Sequence, residues 1–141
     1  RGNTFVREFK KRHTVKHVQI SPDTSRQQLL LARKLAQNAD YLVIGVYIRI
    51  AAYKGALDLS ADQIELLKYL SGINRPVACV LFGSPYLLSS IPDLPSYIVT
   101  YEDYPGAEIA ATKAILGEIP FRGKLPITIP NLYPIGHGMY R

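Results

Sequence analysis

The sequence lacks most features that would place it in a membrane or in a disulfide-bonded class of proteins. It has one cysteine, Cys79, and no tryptophan in 141 residues, so an internal disulfide is excluded. No apolar run approaches the roughly 18 residues of a membrane-spanning helix, and no signal-peptide pattern opens the chain. With 48% hydrophobic and 20% charged residues, the composition predicts one globular domain over residues 1–141. The compartment, extracytoplasmic or cytoplasmic, stays open. Because the chain starts at Arg1, we expect it to be part of a longer polypeptide.

The glycine-rich motifs that hold phosphate groups are also missing. No strand-to-helix turn carries G-x-G-x-x-G, and no Walker sequence is present, so neither motif for a nucleotide cofactor is found. Ser84 stands in the sequence FGSPY, which lacks the flanking glycines of a nucleophile elbow. Gly83 and Pro85 therefore indicate a tight turn rather than a catalytic serine.

Metal ligands and paired carboxylates do not occur at useful spacings. His13 and His17 are four residues apart with no cysteine or carboxylate beside them. Glu102 and Asp103 are adjacent, so spacing alone cannot make them the facing pair that glycoside hydrolysis needs, and Asp103 is better placed to complement the next helix. Cys79 lies among apolar neighbours and is predicted to be core. The residues alone predict no complete catalytic set, no metal and no cofactor.

The basic charge is concentrated at the start of the chain. The net charge is +6, and the first seventeen residues hold six lysines and arginines against one glutamate. This distribution favours a solvated basic helix over a nucleic-acid interface. No zinc-finger, RNP-type or helix-turn-helix signature supports nucleic-acid binding.

Hydrophobic periodicity predicts helices that alternate with strands. A Ser60–Gln63 capping box starts one helix, and Pro105 suits the first turn of another. The unbroken run YLVIGVYI is typical of a central strand that is buried on both faces. The predicted helices cover 3–12, 25–38, 60–70 and 105–116, and the predicted strands cover 14–20, 41–48, 76–82, 96–102 and 126–129. We therefore expect a three-layer α/β/α sandwich around a mainly parallel sheet of about five or six strands.

The stretch from Gly117 to Gly138 combines four prolines with many apolar side chains. Proline fixes φ and removes a backbone donor, so the stretch cannot be one helix or one central strand. Its apolar content nevertheless predicts that it lies on a surface. The pattern leaves open whether that surface belongs to this domain or to another one.

Three segments together resemble one enzyme family. They are VLFGSPYLL at 80–88, ILGEIPFRGKLPITIP at 115–130 and LYPIGHG at 132–138. They are similar to the C-terminal domain of glycoside hydrolase family 3, in its β-N-acetylglucosaminidase-like branch. The loop IRIAAYKGALDLS at 48–60 also looks like this family. The resemblance is good over about 40–138 and looser before that.

The resemblance implies a hydrolase of carbohydrate metabolism that divides its work between domains. An N-terminal (β/α)₈ barrel of the same polypeptide holds the aspartate nucleophile and, in this branch, a loop histidine as proton donor. Those motifs are absent here, so no residue of this chain is expected to be catalytic. The resemblance and the predicted strand ends suggest barrel-facing or sugar-facing candidates: Arg49, Tyr53, Lys54, Ser84, Tyr86 and His137. The G-H-G letters around His137 are not the barrel motif, because Tyr-Pro-Ile precedes them.

Two other functions stay open at this point. The chain could be a free-standing flavodoxin-like module that binds a small anion or sugar at the strand ends. The third hypothesis, a nucleic-acid binder that uses the first helix, requires steeply salt-dependent affinity.

Overall fold

The computed structural model describes residues 1–48, 59–91, 93–94, 96–126, 128–129 and 131–138. Within these ranges it has five helices and three strands. The helices are α1 Asn3–Lys10, α2 Arg26–Gln37, α3 Ala61–Ser71, α4 Leu87–Ser90 and α5 Pro105–Ile115. The strands are β1 Leu42–Ile48, β2 Val77–Gly83 and β3 Tyr97–Val99.

The three strands form one parallel sheet in the order β1-β2-β3. Leu42 pairs with Val77 at one end of β1, and Ile48 pairs with Gly83 at the other end. The middle strand β2 is buried from Val77 to Phe82, as its apolar sequence requires. Because the strands are parallel, their carboxyl ends lie at the same edge of the sheet.

Successive β2 residues point to opposite faces, and helices cover both faces. Val80 and Phe82 pack with α1 and α5, whereas Cys79 and Leu81 pack with α3 and α4. Helix α2 packs through the buried Ala36 against Leu66 and Leu70 of α3, in a cluster that also includes residues of β1. The α/β class with helices on both sides of a parallel sheet is therefore confirmed.

The helix boundaries follow the predicted caps. The Ser60 side chain accepts a hydrogen bond from the Gln63 N–H, and the Gln63 side-chain oxygen accepts one from the Ser60 N–H, so the capping box is complete. Ser25 accepts from the Gln28 N–H at the start of α2. Pro105 opens α5, where its missing N–H costs nothing.

Several strand predictions were wrong. Residues 14–20 form no strand, because this segment runs from one face of the sheet to the other: Val15 packs with α1, and Ile20 packs with α2. The run at 41–48 is half-buried and lies at an edge of the described sheet rather than at its centre. Strand β3 is shorter than 96–102, because Tyr101 takes a positive φ of 64° that ends the extended conformation. The described part of the chain thus has three strands instead of five or six.

The proline-rich stretch folds back on itself and packs on its own domain. Leu125 donates to the His137 carbonyl and accepts from the Gly136 N–H, at 2.8 and 2.7 Å. Ile129 forms an isolated antiparallel bridge with Tyr133 in place of the predicted strand at 126–129. Leu125 and the fully buried Ile129 join the core cluster that includes Cys79 and Leu81 of β2. This part of the chain therefore covers the α3–α4 face of the sheet.

Candidate functional site

The candidate site lies at the sheet edge where the parallel strands end, the place where open α/β sheets bind ligands. Gly83 makes the turn after β2 with a φ of +119°. A Cβ atom at this position would lie 2.1 Å from the Ile48 carbonyl oxygen, so only glycine fits. The predicted tight turn is confirmed, and it leads the chain directly to Ser84 and Tyr86.

Ser84 and Tyr86 lie side by side but form no nucleophilic pair. Ser84 is buried, and its Oγ accepts a hydrogen bond from the Tyr86 N–H at 3.3 Å. No histidine or carboxylate of the described residues bonds to this hydroxyl. A serine needs such a base to become a nucleophile. The Tyr86 ring is 48% exposed and is free to contact a partner.

A buried carboxylate on α5 organises the neighbouring corner of this edge. Glu108 accepts hydrogen bonds from the Gly2 N–H, the Phe5 N–H and the Tyr47 hydroxyl, each at 2.9 Å. Helix α1 has no side-chain cap and no acidic residue in its first turn. The Glu108 carboxylate therefore supplies the negative charge and the acceptors that the α1 N-terminus lacks.

This corner is built for holding α1 rather than for proton transfer. Burial, and then the hydrogen bond to Glu108, raise the pKa of the Tyr47 hydroxyl above its ordinary value of 10.0. Tyr47 thus stays protonated at any physiological pH and serves as a donor. Beside it, Arg1 forms an ion pair with Asp103 at 3.1 Å. Asp103 was predicted to complement the start of α5, and its ion-pair partner is Arg1.

His137 belongs to the folded-back stretch. Its ring stacks on Tyr133 with centroids 4.5 Å apart, and Tyr133 contacts Tyr97 of β3. Gly138 approaches the Gly123 backbone so closely that a Cβ atom would lie 2.2 Å from the Gly123 carbonyl oxygen. The glycine at 138 therefore serves this close backbone contact.

Three of the six predicted site residues can be placed. Ser84 and Tyr86 share one turn, while no hydrogen bond or ring contact joins either of them to His137. Arg49, Tyr53 and Lys54 lie outside the described residues.

Sequence reasoning missed Glu108, whose partners Gly2, Phe5 and Tyr47 are far away along the chain. The one signal in the sequence was a first helix without a capping side chain or an early acidic residue.

The Cys79 thiol is buried, and the described residues include no cluster of metal ligands. Burial raises the pKa of the Cys79 thiol to about 12, and its side chain is fully covered. Across the described ranges, no group of three or more His, Cys, Asp or Glu residues could hold a metal ion. In the same ranges, none of the helices has the length and apolarity that crossing a bilayer requires.

Two solved structures are similar to this chain. One is a fungal multi-domain GH3 β-N-acetylglucosaminidase, described as having a unique GCN5-related glucosamine N-acetyltransferase region. It aligns with 97% of this chain at 28% identity and a TM-score of 0.76. The other is a glycoside hydrolase family 3 β-N-acetylglucosaminidase from Paenibacillus sp. str. FPU-7, which aligns with 82% of this chain at 17% identity and a TM-score of 0.67.

The chain spans only 15% and 21% of the lengths of these two proteins. No protein-family model and no curated protein sequence matches it. The second likeness, at 17% identity, shows the fold alone. Taken with the parallel α/β fold, these structures fit a domain that is associated with glycoside hydrolase family 3 enzymes.

Proposed function

We propose that this chain is the C-terminal, non-catalytic domain of a family 3 glycoside hydrolase of the β-N-acetylglucosaminidase type. The observation that carries the proposal is the alignment of 97% of the chain with the fungal enzyme at 28% identity. In the whole protein, the activity is the release of terminal β-linked N-acetylglucosamine. The part played by this domain is to support the active site of an N-terminal (β/α)₈ barrel.

The chemistry of the described carboxylates supports a non-catalytic role. A retaining glycosidase needs two carboxyl groups about 5 Å apart, or an equivalent acid facing its nucleophile. Here Glu108 is occupied by the α1 N-terminus, and Asp103 is paired with Arg1. Glu8 and Glu118 are both held by Arg12. These four groups serve the fold, and this supports the assignment of hydrolysis to the barrel.

The carboxyl edge of the sheet is the proposed face toward the barrel. Tyr86 projects from this edge with about half of its surface exposed, and Arg49, Tyr53 and Lys54 follow β1 in the sequence. Aromatic rings and forked donors suit both sugar hydroxyls and an interface. Ser84 supports the backbone of Tyr86 in this proposal. His137, stacked on Tyr133, is an exposed contact on the folded-back stretch.

An acetyltransferase role is the second reading that a neighbour's name suggests. The acetyltransferase region appears only in the description of the fungal protein. The Paenibacillus enzyme, which is also similar to this chain, is described as a glycoside hydrolase alone. Both proteins are described as family 3 β-N-acetylglucosaminidases, and this favours a domain of the hydrolase over an acetyltransferase. Neither of these two structures supports the free-standing binding module or the nucleic-acid binder.

The test uses the two domains as separate chains. The barrel segment of the polypeptide that carries this domain is produced alone and then mixed with residues 1–141. The proposal predicts a stable 1:1 complex by native mass spectrometry. It also predicts a barrel that is more stable in the complex, by about 3 kcal/mol at a hundredfold excess over Kd. Separate elution of the two chains and an unchanged barrel melting temperature contradict the proposal.

A further inference from the structure

A groove of about 440 Å³ runs along α5 beside the end of β3. Its floor is a small-residue face of α5, which leaves room that larger side chains would fill. The rest of its lining comes from the end of β3 and from the segment after α5. The lining residues used below are Tyr101, Glu102, Tyr104, Ile119, Phe121 and Arg122. We call these six residues and the α5 floor the aromatic groove.

The rings of the aromatic groove are exposed to an unusual degree. Tyr104 is 55% exposed and Tyr101 is 40% exposed, and Ile119 is partly exposed as well. Exposed aromatic rings that line a concavity suit the binding of a small molecule. The volume lies within the range of small-molecule sites, roughly 300–1,000 Å³.

Two details of the backbone determine where the rings of Tyr101 and Tyr104 lie. Tyr101 has a φ of 64°, a left-handed conformation that a bulky residue rarely adopts. Glycine or asparagine would adopt this conformation with less strain, so a tyrosine is an unusual residue for this turn. The Tyr104 ring lies over Gly106, where a Cβ atom would stand 2.5 Å from the ring. The bare glycine therefore lets the ring lie on the N-terminal end of α5.

The polar groups of the groove are unused. In the parts of the chain that the structure describes, the Glu102 and Arg122 side chains make no ion pair and no hydrogen bond. One is an acceptor and the other a forked donor, and their charges are opposite. A single ion of either sign would meet one repelling group. A neutral ligand with many hydroxyls would find acceptors, donors and ring faces together.

We propose that the aromatic groove binds a neutral saccharide, with a sugar ring packed on Tyr104 and Tyr101 and hydroxyls bonded to Glu102 and Arg122. The inference goes beyond the proposed function, because it assigns a saccharide site to this chain itself, which residues 1–141 can test without the barrel. Binding rather than hydrolysis is its role, because Glu102 is the one carboxylate among the described residues of its lining and a retaining glycosidase needs two facing carboxyl groups. An extended proline-rich peptide is the competing occupant for a groove of this kind.

The experiment is a titration of ¹⁵N-labelled residues 1–141, followed by amide shifts. The probes are triacetylchitotriose, cellotriose and a proline-rich decapeptide. The proposal predicts saturable shifts with at least one of the trisaccharides, confined to residues 100–106 and 119–122. Shifts elsewhere, no saturation with either sugar, or saturation with the peptide alone would overturn it.

Variants make the test specific to the ring. Tyr104→Ala is expected to weaken saccharide binding about three- to tenfold, whereas Tyr104→Phe keeps the ring and stays within about twofold. Tyr41→Ala is the matched control, because Tyr41 is 56% exposed and lies outside the groove. An equal loss in Tyr41→Ala and Tyr104→Ala would also overturn the proposal. The binding readout is separate from hydrolysis, so it can fail while the proposed function stands.

Discussion

The carboxylate of Glu108 accepts a hydrogen bond from the hydroxyl of Tyr47 at 2.9 Å, and this hydrogen bond joins α5 to β1. The same carboxylate holds the N-terminus of α1 through two backbone N–H groups. Phe5 and Phe9 of α1 then pack beside Phe82 of β2. A short basic helix is thus fixed to the domain by one buried acid and two aromatic rings.

Removing this carboxylate should be costly. Glu108→Ala leaves two backbone donors and a phenol without their acceptor, so we expect a loss of about 2–4 kcal/mol in the free energy of unfolding. Tyr47→Phe removes one donor and should cost about 1 kcal/mol. Urea unfolding followed by circular dichroism measures both. Glu102→Ala, whose side chain is exposed, is the control and should stay within about 0.5 kcal/mol. Equal midpoints for Glu108→Ala and Glu102→Ala would refute the capping role.

Gly83 at the end of β2 and Gly117 after α5 should differ in how much a change to alanine destabilises the fold. Gly83→Ala places a Cβ atom 2.1 Å from the Ile48 carbonyl oxygen, so β1 and β2 must separate there. We expect a loss of about 3 kcal/mol or more. Gly117 also has a positive φ, but a Cβ atom there meets nothing within 4 Å. Gly117→Ala should therefore cost only about 1 kcal/mol. Thermal melts of the two variants measure this difference. A lower melting temperature for Gly117→Ala than for Gly83→Ala would contradict the prediction.

The folded-back stretch predicts a second contrast. Ile129 is fully buried, so Ile129→Ala should lose about 2–4 kcal/mol from the cavity it leaves. Ile135 lies in the same stretch and is 64% exposed, so Ile135→Ala should be nearly neutral. The measurement is the urea midpoint of each variant. If both changes are neutral, the stretch does not pack on this domain.

The ion pairs of α1 predict a response to acid. The hydrogen bond from Lys11, and that from Arg12, lower the pKa of Glu8 below its ordinary 4.5. A lowered folded-state pKa stabilises the fold above pH 4.5, and this stabilisation is lost as the pH falls through the lowered value. Glu8→Gln should therefore be less stable than the parent chain at pH 7 and equal to it in strong acid. Glu65→Gln removes an exposed, longer pair with Arg33 and should show no such convergence.

Local signals in the sequence predicted the elements that depend on neighbouring residues. Ser60 with Gln63, Ser25 and Pro105 each mark a helix start by chemistry that lies within one turn. The apolar run at 76–82 likewise predicted a buried strand, which is observed as β2. These features needed no knowledge of the rest of the chain.

Features that depend on distant contacts could not be predicted in this way. Residues 14–20 resemble a strand by alternation, yet their anchors, Val15 and Ile20, lie on opposite faces of the sheet. The early end of β3 at Tyr101 rests on one backbone angle in a residue that seldom adopts it. The Glu108 corner joins residues more than one hundred positions apart, and periodicity carries no trace of such a pair.

The most direct test of the central claim is hydrolysis of a chromogenic N-acetyl-β-glucosaminide by two proteins side by side. One is the purified chain of residues 1–141, and the other is the longer polypeptide to which the proposed function assigns this chain. We predict turnover by the longer polypeptide and none by the isolated chain, because the proposed function assigns the nucleophile and the proton donor to the barrel. Turnover that follows the isolated chain through purification would contradict this account.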